Sequence, residues 1–264
     1  MRGKSDHTFV ILAYKESPYL EHCISSLLQQ TVKSEIHLST STPSAFLENI
    51  SLKCHIPLTI YNQSEGIASD WSFALAQGKT KYITLAHQDD MYLPQYTEYC
   101  VSAAEKIQTN LITFTDYDEI FDGTLRKHNL LLLTKRMIVF PFYVFKQHIS
   151  SSFLKRLMLS PGNPICCPSI MYNKDNIGRF EFDAAFSMNL DWEAALRLAE
   201  MSGDFIYIRK KMVHRRIHKG SESTHALQTY ARQNEDRILF ERLWPKPVAN
   251  VLLSLYATAY KSNG

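Results

Sequence analysis

Five short apolar runs, rich in β-branched residues and separated by stretches of helical period, occupy the first 115 residues, and that alternation limits what the chain can become. Thr8 to Ala13 reads as a buried strand. Ser17 and Pro18 mark a helix start, and Leu20, Cys23, Ile24, Leu27 and Leu28 recur at the spacing of one helical face. Glu35 to Thr40, Leu58 to Tyr61, Lys81 to Ala86 and Leu111 to Thr115 read as further strands. Helices lie between them near Pro43 to Ile50, over Ile67, Trp71, Ala74 and Leu75, and from Pro94 over Tyr96, Tyr99, Cys100, Ala103 and Ile107. Parallel strands need crossovers, and a crossover helix must bury its apolar stripe. The spacing therefore predicts an α/β domain with a mainly parallel sheet covered on both faces. After Asp122 the pattern loosens into a strand at Ser169 to Tyr172, a helix from Asn189 to Met201, strands near Phe205 to Ile208 and Lys211 to Ile217, and C-terminal helices.

With 45% apolar and 21% charged residues over 264 positions, the chain has the composition of a folded soluble protein rather than a disordered or fibrous one. Its longest apolar run, Met137 to Phe145, falls well short of the roughly 20 residues needed to cross a bilayer. The polar start, Met1 to His7, and the short apolar stretch after it do not make a signal peptide, so a cytoplasmic location is expected. Cys23, Cys54, Cys100, Cys166 and Cys167 contain no C-x-x-C pair and are expected to be inert thiols.

Charge is unevenly placed. Gly123 to Lys174 holds Arg126, Lys127, Lys135, Arg136, Lys146, Lys155, Arg156 and Lys174 and no acid, +8 against a net +3 for the chain. Such a basic, apolar stretch suits peripheral contact with an anionic bilayer through residues 126–156, a solvated face of a helical insertion, or an acidic substrate. No base-reading motif accompanies it, and nucleic acid is not an expected partner.

In a sheet of this kind ligands bind beyond the carboxyl ends of the strands, which draws attention to residues 14–16, 39–42, 62–66, 87–90 and 116–119. No G-x-G-x-x-G follows the first strand and no P-loop occurs, so dinucleotide and P-loop sites are disfavoured. The most telling string is His87-Gln88-Asp89-Asp90. Two adjacent carboxylates preceded by an imidazole can hold a hard divalent cation with positions left for phosphate oxygens. The plainer alternatives are that Asp90 caps the helix beginning near Pro94, or that both acids sit in a turn.

The run from Phe9 to Thr31 (FVILAYKESPYLEHCISSLLQQT), the turn Gly66-Ile67-Ala68 and the string from His87 to Pro94 together resemble the inverting GT-A fold glycosyltransferases of the family 2 type. The resemblance covers about the first 120 residues well and recurs in patches to Ser223. It implies a nucleotide-sugar-binding α/β half over 1–120 and an acceptor-binding, helical C-terminal half of the same domain over 121–264. It further implies a nucleotide-diphosphate sugar donor, manganese or magnesium as cofactor, and a saccharide or lipid-linked saccharide acceptor. Bacterial members commonly build capsule, lipopolysaccharide or other surface glycans.

Carried over by position, Asp89 takes the place of the metal-binding acid of the D-x-D motif, and His87 stands where its first acid usually contacts ribose or sugar. Tyr14 corresponds to an aromatic of the nucleotide pocket, with Glu16, Gly66 and Asp90 beside it. Ser39 and Thr40 replace an acid that many members use to read uracil, which weakens the case for a uridine nucleotide, although the Thr40 hydroxyl can still make one such bond and stays a nucleotide-binding candidate. Asp191 matches the general base of the family's E-D element, although Leu190 replaces the Glu, and Glu193 is the reserve base. Arg216-Ile217-His218-Lys219-Gly220-Ser221 resembles a late R-x-H element, in which Arg216 meets the diphosphate and His218 joins the metal. Asn163 to Ser169 and Phe182-Asp183 also match family elements, without an assigned role. The rival readings are a sugar nucleotidyltransferase, which lacks its usual Gly-rich basic loop here, and a degenerate nucleotide- or glycan-binding module, which the missing acids would favour.

Overall fold

The computed structural model describes residues 5–126, 129–218 and 230–261; Lys127 of the basic stretch and Lys219 to Ser221 of the late motif lie outside the described residues. The first half follows the expected alternation: β1 (His7–Leu12), α1 (Leu20–Leu28), β2 (Glu35–Thr40), α2 (Ala45–Cys54), β3 (Leu58–Ile60), α3 (Ile67–Gln77), β4 (Tyr82–His87), β5 (Met91–Tyr92) and α4 (Tyr96–Ala104). Then come β6 (Asn110–Phe121), β7 (Thr124–Arg126), α5 (Leu130–Val139), β8 (His148–Ile149), α6 (Ser152–Leu159), β9 (Ile170–Asn173), α7 (Lys174–Ile177), α8 (Leu190–Glu200) and β10 (Asp204–Ile217). Two helices close the chain, α9 (Tyr230–Leu243) and α10 (Lys246–Lys261).

One sheet runs through both halves in the order β3-β2-β1-β4-β9-β6-β10-β5. β1 pairs in parallel with β2 and β4, and β6 with β10, while β9 enters antiparallel between β4 and β6. Alternate side chains of β1 serve two cores: Phe9 and Ile11 pack with Leu20, Ile24 and Tyr96 on one face, and Val10 with Trp71 and Ala74 on the other. A strand buried on both faces must be apolar throughout, which is why Thr8 to Ala13 reads as a continuous run. The C-terminal helices pack against α8, where the buried Trp192 meets Phe240 edge to face at 5.0 Å and donates its indole N–H to Leu159 O at 3.0 Å.

Two strand expectations need revision. The runs 205–208 and 211–217 are one strand, β10, and the gap between them is a bulge where its register against β6 shifts on either side of Lys211. Because β10 stays paired beyond the bulge, β6 extends to Phe121, so Asp116 and Glu119 belong to the strand rather than to a loop after it.

The basic stretch is not an uninterrupted solvated face. Lys155 is buried and donates to Met201 O and Gly203 O, each at 2.8 Å, and Lys174 donates to Ala76 O and Gly78 O. Arg136 pairs with Asp116 at 2.7 Å and Arg156 with Glu200 at 2.9 Å. The local run lacks acids, but acids distant in sequence and helix-terminal carbonyls meet these cations in the fold.

Candidate active site

The His87 to Asp90 bend leaves the carboxyl end of β4 and is stitched to the far half of the sheet. Met91 and Tyr92, as β5, pair antiparallel with His214 and Val213 beyond the β10 bulge. This brings Arg216 onto the bend: its backbone N–H donates to Asp90 Oδ1 at 2.8 Å, and its guanidinium Nε donates to Asp89 O at 3.0 Å. Asp90 therefore accepts from β10 rather than capping α4, whose N-cap, Gln95, makes no side-chain bond. Tyr19 lies under the Arg216 guanidinium, 4.3 Å from its ring centroid, and beside the His218 ring at 4.9 Å. His218 Nε2 reaches Asp89 Oδ2 at 3.1 Å.

Electrostatics at the bend favour a cation. Ligand atoms of His87, Asp89 and Asp90 all lie within 4.8 Å of one another. Burial, reinforced by the neighbouring charge of Asp89, raises the Asp90 carboxyl well above the ordinary carboxylate range. Burial lowers His87, which keeps its imidazole neutral with a lone pair to bond, and its Nε2 is buried without a hydrogen-bond partner among the described residues. Two acids that repel each other, beside a neutral imidazole with an unused nitrogen, suit a hard divalent ion such as manganese or magnesium. The ring of Trp71, 5.3 Å from that of His87, backs the imidazole, and Phe182 in turn packs edge-on against Trp71 at 5.4 Å.

Asp191 lies in the first turn of α8, half-buried, with Oδ1 accepting from Trp192 N at 2.8 Å. Its charge acts weakly on His87 and Lys135 and more strongly on Cys167, so it lies within electrostatic reach of these groups. Glu193 points elsewhere: it is buried, receives both bonds from Arg197 Nε at 2.8 and 2.9 Å, and has Arg242 at 3.7 Å. Its carboxylate is engaged in holding helices together.

At the β1 end, Tyr14 is 45% exposed and Glu16 is exposed, both in the loop over the strand ends. Thr40 is buried, and its hydroxyl accepts from Thr42 N at 3.0 Å while Thr42 Oγ1 accepts from Lys15 N at 2.6 Å, so Thr40 shapes the turn. Gly66, at φ +123°, opens α3 with no atom near the place of a Cβ.

A family model described as glycosyl transferase family 2 matches residues 8–177, more than half of the chain. The chain belongs to that family. Glycosyltransferases of unestablished role from Rickettsia typhi and Rickettsia prowazekii are each 24% identical over 212 residues, a match covering 78% of this chain. The chain spans 64% of the length of these curated relatives. Among solved structures, S. aureus TarS 1-349 in complex with UDP superposes with a TM-score of 0.60 at 11% identity, covering 94% of this chain and 69% of that one. The same protein in complex with UDP-GlcNAc gives a TM-score of 0.58 at 13% identity, covering 88% and 65%. Such likeness shows the fold, which is the GT-A type expected from the sequence.

Several contacts around the bend and Asp191 have no signature in the sequence. The side-chain amide of Gln88 ties the two strand-end loops, accepting from Tyr14 N at 3.1 Å and donating to Tyr14 O at 2.8 Å. Lys135, from α5, lies near the Tyr117 ring at 5.8 Å, and burial lowers its ammonium. Most consequential is Glu235 of α9, whose carboxylate accepts the backbone N–H groups of Ser187, Met188 and Asn189 at 2.7 to 2.9 Å. That clamp fixes the turn into α8 and with it Asp191. No local pattern announces a carboxylate 44 residues downstream of the group it positions.

Proposed function

We propose that this chain is a divalent-metal-dependent, inverting glycosyltransferase that moves a sugar from a nucleotide-diphosphate donor to a hydroxyl of a saccharide or lipid-linked saccharide in surface-glycan synthesis. The observation that carries the reading is the pairing of two groups of opposite use: the carboxylate bend with its unpartnered imidazole nitrogen, and Asp191 within electrostatic reach of it. Membership of family 2 and the fold shared with a protein crystallised with UDP-GlcNAc support a nucleotide-linked sugar as donor.

In this reading Asp191 accepts the proton of the acceptor hydroxyl as its oxygen attacks the anomeric carbon from the face opposite the nucleotide. The bond from that carbon to the diphosphate oxygen breaks, and the configuration inverts. Asp89, Asp90 and His87 would hold the divalent ion, with His218 bonded to Asp89, and the ion would supply charge against the developing diphosphate. Arg216 is fixed over Tyr19 beside that position and adds a second positive charge. The Glu235 clamp keeps the Asp191 turn in register without taking part in the chemistry.

Asp191→Asn tests the assignment. Turnover of donor should fall by about 10² to 10⁴ while nucleoside diphosphates with manganese still raise the melting temperature. Loss of that binding along with turnover would return Asp191 to the scaffold.

A further inference from the structure

The helical insertion between β7 and β9 has two apolar faces and only one core. Leu132, Val139 and Tyr143 are buried, yet Leu130, Leu133, Met137 and Phe140 recur at the spacing of the opposite side, and all four face solvent. Leu130 is 79% exposed, and Phe145, just beyond a 3-10 turn at Phe140–Tyr143 that follows α5, is 97% exposed. A few residues on, α6 leaves Phe153 71% exposed. Solvent-facing aromatic and aliphatic side chains gathered in so short a segment mark a contact surface.

Charge beside these residues identifies what they meet. Most cations of the insertion are engaged internally, but Lys146 is exposed among the apolar residues. The β10 bulge adds Arg209, exposed, and places its guanidinium 5.3 Å from the Phe140 ring centroid. No Asp or Glu interrupts residues 123–174. Exposed apolar rings bordered by exposed cations match a bilayer interface with anionic headgroups, where rings enter the acyl boundary and cations stay among the phosphates. No helix among the described residues is long and apolar enough to cross a membrane, so contact would be from one side.

We propose that α5, the turn after it and the β10 bulge form a peripheral docking surface for an anionic bilayer. The docking proposal does not depend on the proposed transferase reading.

The test is cosedimentation with vesicles of phosphatidylcholine alone and of equal parts phosphatidylcholine and phosphatidylglycerol, at low and high salt. The chain should sediment with the anionic vesicles at low salt. Phe140→Ser combined with Phe145→Ser should weaken partitioning about tenfold or more, and Lys146→Glu combined with Arg209→Glu should remove its salt-sensitive part. These positions are exposed, and an unchanged melting temperature confirms folding. A wild type that stays in the supernatant with anionic vesicles at low salt overturns the proposal. So does a serine pair that partitions like wild type, or one that converts a dimer seen by light scattering into monomers, since a second copy would then cover the surface. Nucleoside diphosphate binding, measured on the same samples, separates the two readings: vesicle binding without it leaves docking standing and removes the transferase, and the reverse removes docking alone.

Discussion

Two histidines mark opposite ends of the same pair of strands. In the parallel ladder of β1 and β4, His7 faces Tyr82 at the amino-terminal edge and His87 faces Leu12 at the carboxyl edge. His7 is fully buried with both nitrogens bonded, to Ser34 Oγ at 2.9 Å and Thr84 Oγ1 at 3.0 Å. Those hydroxyls continue to Thr97 and Tyr96, closing a network. The His87 side chain is partly exposed, but its Nε2 is buried with no partner among the described residues, and its Nδ1 stands 4.0 Å from Asp90 Oδ2. One edge bonds both nitrogens of its histidine within the fold, and the other leaves one histidine nitrogen without a bond among the described residues. A folded chain tolerates an unsatisfied buried nitrogen where a ligand completes it, which is the physical content of calling the carboxyl edge a site.

The sharpest way to break this comparison is to remove each ring in turn. His87→Ala should lower manganese affinity and donor turnover by about 10- to 100-fold, as loss of a ligand or its support does, with little loss of thermal stability. Melting temperature with and without manganese, alongside donor hydrolysis, reads both effects. If His87→Ala instead costs stability and leaves turnover intact, the two edges do not differ in kind.

His7→Ala should do the opposite, costing about 1 to 3 kcal/mol by stranding the Ser34 and Thr84 hydroxyls while leaving donor hydrolysis unchanged in the protein that remains folded. Titration sharpens the point. Burial lowers His7 from 6.5 to about 3, so it stays neutral in the folded chain while the unfolded chain takes up a proton. Stability from this residue is complete above pH 6.5 and is lost as pH falls toward 3, by at most about 1.4 kcal/mol per pH unit. Denaturant melts across that window should show the slope in wild type, and His7→Leu should lack this one-proton component.

The two halves of the chain also differ in how legibly they are written. Around β1 to α4, each strand and helix carries its own apolar period, so local spacing suffices, and the paired acids after β4 stand out as polar residues at a strand end. Beyond Phe121 the determinants are non-local. The 209–210 bulge reads as a gap between strands because its residues face solvent, and Lys155 reads as surface charge although two distant carbonyls hold it inside. Asp191 is indistinguishable by pattern from an acid that complements a helix dipole, and only family resemblance singled it out. What fixes its turn, Glu235, is joined to it through backbone N–H groups that leave no trace in sequence.

The smallest expected effect concerns the carboxyl edge again. Gly66 holds φ +123° and ψ −174°, a region other residues reach only with strain, yet nothing lies within 4 Å of where its Cβ would be. Gly66→Ala should therefore cost only the backbone term, about 1 to 3 kcal/mol, or a few degrees in melting temperature for a chain this size. The space beside Gly66 is the part of the comparison still to be sharpened. If the donor occupies it, the alanine methyl will raise the donor KM with little change in kcat, because it crowds bound nucleotide without touching the reacting atoms. An unchanged KM would assign Gly66 to the turn alone, and confine the site at this edge to the bend at 87–90 and the groups facing it.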